Sequence, residues 1–189
     1  MLAFDDPLSF RPRRVLTAGV SGVGKTTLAS RIASIAGAPH TEIDELYHGP
    51  NWVPRPEFLK DVHQLVREDA WTTEWQYATA RPILAAHADL LVWLDLPFFT
   101  VTLPRVVART IRRRLRREAL WNGNVEPPLR ALFTDREHIV RWALATRNKY
   151  ADLLPHLQEG HPRLCIVRLR SPREVEAWLA RPLKQEFHS

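Results

Sequence analysis

The chain has 189 residues, 45% hydrophobic and 25% charged, with 7 Gly and 15 Pro; this suits one domain with a substantial core and excludes collagen-like or low-complexity sequence. The net charge of +6 is carried mainly by arginine, which favours polyanionic ligands unless it reflects only a preference for Arg over Lys. A single cysteine, Cys165, excludes a disulfide framework, no Cys/His spacing suits zinc, no run is apolar enough for a membrane, and the acidic start "MLAFDD" is unlike a signal peptide, so the expected setting is the cytoplasm.

After a polar leader to about Arg14, "VLTAGV" is a short apolar run ending in Gly, the pattern of a buried parallel strand. "KTTLASRIASIAG" then sets Leu28, Ile32 and Ile35 at helical spacing and stops at Gly37. "HTEID" is a brief strand candidate, and the prolines of "GPNWVPRP" forbid a continuous element. Phe58, Val62, Leu65 and Val66 recur at helical spacing, "AWTTEW" is a second short strand candidate, and "RPILAAH" a short helix. "DLLVWLDLP" is the strongest buried-strand signal, closed by Pro97.

"TLPRVVARTIRRRLRREAL" places Leu103, Val107, Ile111 and Leu115 at steps of four, with Arg105, Arg109, Arg112, Arg113 and Arg116 largely off that stripe. That is an amphipathic helix with a basic face. "WNGNVEPP" breaks it, and helical stretches follow around "LRALFTDREHIVRWALATR" and "KYADLLPHL". A last strand, "RLCIVRL", precedes the helix "SPREVEAWLARPL", where Ser171 can cap. Strands alternating with helices predict one α/β domain over residues 1–189, with roughly five parallel strands and helices on both faces.

Within this frame "GVSGVGKT" fits G-x-x-x-x-G-K-[ST] through Gly19, Gly24, Lys25 and Thr26. Bare glycine backbone lets N–H groups converge on phosphate oxygens, and the helix that follows adds its positive end. Lys25 is placed to reach the β- and γ-phosphates of a nucleoside triphosphate, and Thr26 to ligate Mg²⁺. Asp44, Glu74 and Asp95 each follow a strand candidate and are the acids available to complete such a site. Taken alone, "LLVWLD" makes Asp95 the better match to a hydrophobic strand closed by an acid. The arginine helix can supply cations to a transferring phosphoryl group. Trp52 and Trp75 are candidates for stacking on a base or lining an acceptor pocket, whereas Trp71 reads as core.

With these residues in place, the chain resembles the adenylate-kinase-related P-loop kinases, and among them the group called DNA topology modulation proteins. The resemblance rests on "GVSGVGKTTLASRIA", "IDELYHGPNWVP", "WTTEWQY", "ARPILAAHADLLVWLDLP" and "RVVARTIRRRLRRE". It implies a three-layer P-loop fold and ATP on residues 19–27: Gly19, Ser21, Gly22, Val23, Gly24, Lys25, Thr26 and Thr27. It also implies Mg²⁺ at Thr26, Asp44 facing the acceptor as a candidate general base, and a lid over about 104–128 with Arg109, Arg112 and Arg113 on the ATP side. It shifts the metal role from Asp95 toward Glu74 and Asp44, with Trp52 and Glu74 near the acceptor. Where adenylate-kinase relatives commonly carry Asp-Gly, this chain has Glu74-Trp75, which separates it from a simple AMP kinase.

The expected function is therefore transfer of the ATP γ-phosphoryl to a small, nucleotide-like acceptor. The competing expectations are a nucleic-acid-associated ATP-binding protein, which would bind through the arginine helix with steep salt dependence, and a slow ATPase or nucleotide sensor. Residue types leave the acceptor and the oligomeric state open.

Overall fold

The computed structural model describes residues 1–116, 121–124 and 148–188. Four parallel strands, β1 (Arg14–Ala18), β2 (Trp71–Glu74), β3 (Leu90–Leu94) and β4 (Cys165–Leu169), lie in the order β2-β1-β3-β4. Parallel neighbours require long crossovers. These are supplied by helices α1 (Lys25–Ala36), α2 (Ile43–Tyr47), α3 (Phe58–Leu65), α4 (Arg81–His87), α5 (Leu103–Arg116) and α6 (Lys149–Gly160). α7 (Pro172–Trp178) and α8 (Lys184–His188) follow β4.

Register pairs Val15 with both Thr72 and Leu90, and Leu91 with Ile166. All five residues of β3 are buried, as a strand covered on both faces must be. Leu16, Ile32, Leu84, Leu90, Leu91, Ile166 and Trp178 are fully enclosed in one core. At the last turn of the chain's logic Ser171 does cap: its hydroxyl accepts the Glu174 N–H at 3.2 Å while the Glu174 carboxylate accepts the Arg170 N–H at 2.7 Å. Among the described residues no helix is long and apolar enough to cross a membrane.

Two sequence expectations change. The fifth strand is absent from the described residues: "HTEID" contributes one bridge, His40 to Thr72, flanked by Thr41 N–H to Thr72 C=O at 3.0 Å and Thr72 N–H to Pro39 C=O at 2.9 Å. Pro39 offers no N–H to extend the ladder, and from Ile43 the chain turns into α2.

The second change concerns α5. Val106 and Thr110 are buried, while Ile111 is 40% and Leu115 75% exposed. The helix docks by the face carrying Val106, Arg109, Thr110 and Arg113, because that face meets the glycine loop; the predicted apolar stripe points elsewhere. The helix expected around residues 129–147 lies outside the described residues, as do residues 117–120 and 125–128 of the expected lid.

Candidate active site

β1 ends at Ala18, and the chain enters the glycine loop at the carboxyl edge of the sheet, where ligands of open α/β folds bind. A Cβ on Gly19 would stand 2.8 Å from both the Leu94 carbonyl and Val23 Cγ1, so the loop can cross the end of β3 only as glycine. Gly22 has φ +76°, and a Cβ there would lie 2.0 Å from Val106 Cγ2, so α5 rests directly on bare loop backbone. Gly22→Ala is expected to weaken ATP binding by about tenfold or more, combining left-handed strain of ~1 kcal/mol with displacement of α5. Titration calorimetry checks this, and Val106→Ala in the same chain should restore part of the loss by removing the clash alone.

Gly24, at φ 110°, caps α1, and Lys25 is the first helical residue. Lys25 is 8% exposed, its Nζ donates to the Val20 carbonyl at 3.2 Å, and no carboxylate among the described residues hydrogen-bonds it. Burial lowers its pKa to about 8 against the raising fields of Asp44 and Glu74, with Arg109 and Lys149 lowering it further. The Val23 N–H donates to the Val20 carbonyl at 3.3 Å. Ser21 and Thr26 are half-buried and Thr27 is exposed.

The three acids fall into different environments. Asp95 is held by Arg168 of β4, whose Nε donates to it at 2.9 Å, and that guanidinium lies over the Trp93 ring; this acid braces strand ends. Glu74 is 2% exposed; its Oε2 accepts the Ile43 N–H at 2.9 Å and Oε1 lies 3.3 Å from His40 Nε2. Burial raises its pKa, but these hydrogen bonds outweigh burial and hold the carboxyl below its ordinary 4.5. The stability Glu74 adds is therefore present above pH 4.5 and lost as pH falls through the depressed folded value. Glu74→Gln should remove that part of the acid destabilisation, a difference readable in urea titrations at successive pH values.

Asp44, on α2, accepts from Tyr77 Oη at 2.6 Å and Gln76 Nε2 at 2.7 Å, both on Oδ1. Its Oδ2 has no hydrogen-bond partner among the described residues and is available to a ligand. Burial and the Asp44 charge raise the Tyr77 pKa, which keeps the phenol a donor. Tyr77 stacks on Tyr47 with centroids 3.8 Å apart, and His48 Nε2 lies 3.1 Å from the phenol oxygen. Burial lowers the His48 pKa, against the pull of Asp44. Trp52 sets its ring edge against His48 at 5.1 Å.

Of the arginines on α5, Arg109 acts on Lys25 and is half-buried with Arg113, whereas Arg105 and Arg112 are exposed. The Arg116 side chain lies outside the described residues. Trp75 is core rather than a stacking platform: it is buried, packs on Tyr150 at 6.0 Å and donates its indole N–H to the Arg81 carbonyl at 3.0 Å.

Two cations escaped the sequence reading. Lys149 is half-buried, and its pKa is lowered by burial and then by Arg81, whose guanidinium sits 5.4 Å over the Trp75 ring. No carboxylate pairs with either among the described residues. Each is the first residue of its helix, the end where a cation opposes the dipole. That misplacement was the available signal.

No protein-family model matches the chain. A curated shikimate kinase from Novosphingobium aromaticivorans is 27% identical over 173 residues, spanning 86% of this chain and 72% of that protein. Among solved structures, a shikimate kinase from Bacteroides thetaiotaomicron superposes with a TM-score of 0.52 at 14% identity, covering 90% of this chain and 95% of the other. A gluconokinase from Sinorhizobium meliloti 1021 aligns at TM-score 0.49 and 21% identity, over 95% and 98% of the two chains. The chain is similar to P-loop kinases and shares their α/β fold, with four parallel strands where the sequence predicted about five. Nothing in these matches bears on the DNA topology modulation group.

Proposed function

We propose that this protein is an ATP-dependent kinase acting on a small acceptor. One observation carries the reading: buried Lys25 sits in a glycine loop at the sheet edge, in the field of an acid, Asp44, that keeps one carboxylate oxygen open. The loop would hold the ATP phosphates, Lys25 would reach the β- and γ-phosphates, and Arg109, Arg113 and Lys149 would surround the group in transit. An acceptor hydroxyl would donate to Asp44 Oδ2. As its oxygen bonds to the γ-phosphorus and the bond to the β,γ-bridging oxygen breaks, the proton passes to Asp44 and ADP leaves.

The residues present fit Mg²⁺ in part. The Thr26 hydroxyl is a hard oxygen beside the phosphate loop, whereas the Glu74 carboxylate already accepts the Ile43 N–H and lies against His40, which leaves it less suited to ligating directly. The ion would supply charge neutralisation on the phosphates.

A nucleotide-like acceptor is supported by the aromatic side chains beside Asp44, Tyr47, Tyr77, His48 and Trp52. A second reading, an acidic polyol of the kind named in the curated relative, is favoured by Arg81 and Lys149, cations without a carboxylate partner. ADP release from Mg·ATP across nucleosides, nucleoside monophosphates, shikimate and sugar acids separates them. Acceptor-independent release throughout would overturn the kinase reading in favour of a plain ATPase.

A further inference from the structure

Residues 121–124, "WNGN", lie 75 positions from the acceptor-side loop yet are bonded into it. Asn124 is 5% exposed and spends its side chain wholly there: Oδ1 accepts the Trp52 N–H at 3.0 Å, and Nδ2 donates to the Gly49 carbonyl at 2.9 Å and the Trp121 carbonyl at 2.8 Å. Asn122 Nδ2 donates to the His48 carbonyl at 2.5 Å, and the Trp121 indole donates to Glu42 Oε2 at 2.7 Å. The Trp121 ring lies nearly parallel to His48, centroids 6.0 Å apart. Both partners hold unusual backbone, with Asn51, Trp52 and Asn122 at φ 58°, 62° and 55°. Asparagine adopts the left-handed region readily, whereas a bulky Trp52 persists there only where surrounding contacts impose it.

One line of contact leaves this junction, through His48 to Tyr77 and on to Asp44. In sequence, residues 121–124 follow Arg116, the end of α5, whose Val106 rests on Gly22 and whose Arg109 acts on Lys25. We propose that Asn124 is a positioning residue, the keystone of a latch that ties the arginines of α5 to the acceptor-side loop, so that the cations around the γ-phosphate and the orientation of Asp44 are set together. Its meaning for Arg109 and Arg113 rests on the kinase reading; the latch does not.

The test compares binding of Mg·adenylyl imidodiphosphate and Mg·ADP by calorimetry, with amide exchange, on the full chain. Wild type is expected to protect the Trp52 amide and to prefer the triphosphate analogue. Asn124→Ala should lose that protection and about fivefold or more of the preference, with ADP affinity within about twofold, as expected when charge-assisted contacts to one phosphate are lost. Glu42→Gln keeps an acceptor for the Trp121 indole and should behave as wild type, whereas Glu42→Ala should shift toward Asn124→Ala. A merely structural Asn124 would lower the melting temperature and leave the preference within about twofold, which overturns the proposal. Should Asn124→Ala fail to fold, Asn122→Ala and Glu42→Ala read the same ratio, and no change in either has the same force. Free exchange at Trp52 in wild type overturns the latch itself, whereas a protected Trp52 in a chain that binds neither nucleotide upholds the latch and removes the kinase reading.

Discussion

Lys25→Met is expected to lower phosphoryl transfer by ~10³-fold or more, because it removes the one buried cation of the phosphate loop at the point where charge concentrates in the transition state. The same change should raise the stability of the nucleotide-free protein. Lys25 has its pKa reduced from 10.5 to about 8, so folding disfavours its charge, and that cost is fully present below pH 8 and relieved as pH rises toward 10.5. Methionine keeps the length and drops the charge. A melting temperature that rises while activity vanishes is the expected pair, read by thermal denaturation and ADP release. ATP affinity of the wild type should fall above about pH 8 as Lys25 loses its proton, although bound phosphate will hold that proton to higher pH. Activity within tenfold of wild type in Lys25→Met would remove the loop from the mechanism.

Asp44→Asn is expected to reduce kcat by ~10²- to 10³-fold with ATP affinity nearly unchanged. Asparagine keeps an oxygen to accept from Tyr77 and Gln76 and so preserves the local geometry, which in the native protein uses Oδ1 alone. What it loses is the proton-accepting oxygen presented to the acceptor. An unchanged kcat with a raised acceptor KM would demote Asp44 from base to binding group. Because the Asp44 charge also raises the pKa of Lys25, the variant should in addition move the alkaline limb of ATP binding to lower pH.

Several parts of this molecule are readable from short stretches of chain. "GVSGVGKT" announces its loop because each demand is met within eight adjacent positions: glycine where a Cβ would strike Leu94 or Val106, then a lysine opening a helix. β3 and α3 are equally local, one an unbroken apolar run and the other an apolar repeat of Phe58, Val62 and Leu65 that is the face found buried. "HTEID" has strand-like composition, yet its pairing depends on Pro39 and on how far Thr72 extends beside it. The stripe on α5 misled for a related reason. Periodicity locates an apolar face, but the buried face is whichever one a neighbour covers, and here the neighbour is the glycine loop.

The residues gathered around the glycine loop come together only in three dimensions. Lys149 and Arg81 converge from helices 68 positions apart because α4 and α6 both begin beside Trp75 and Tyr150. Trp52 and Asn124 meet across 72 positions. Sequence alone determined the glycine loop, the α/β class and the acids that close β2 and follow β3, Glu74 and Asp95, since these follow from sterics and hydrogen bonding among near neighbours. Tertiary structure alone decided which acids act on Lys25, which face of α5 turns inward and what holds the "WNGN" turn in place. Those depend on burial and electrostatic fields that exist only after distant segments have packed.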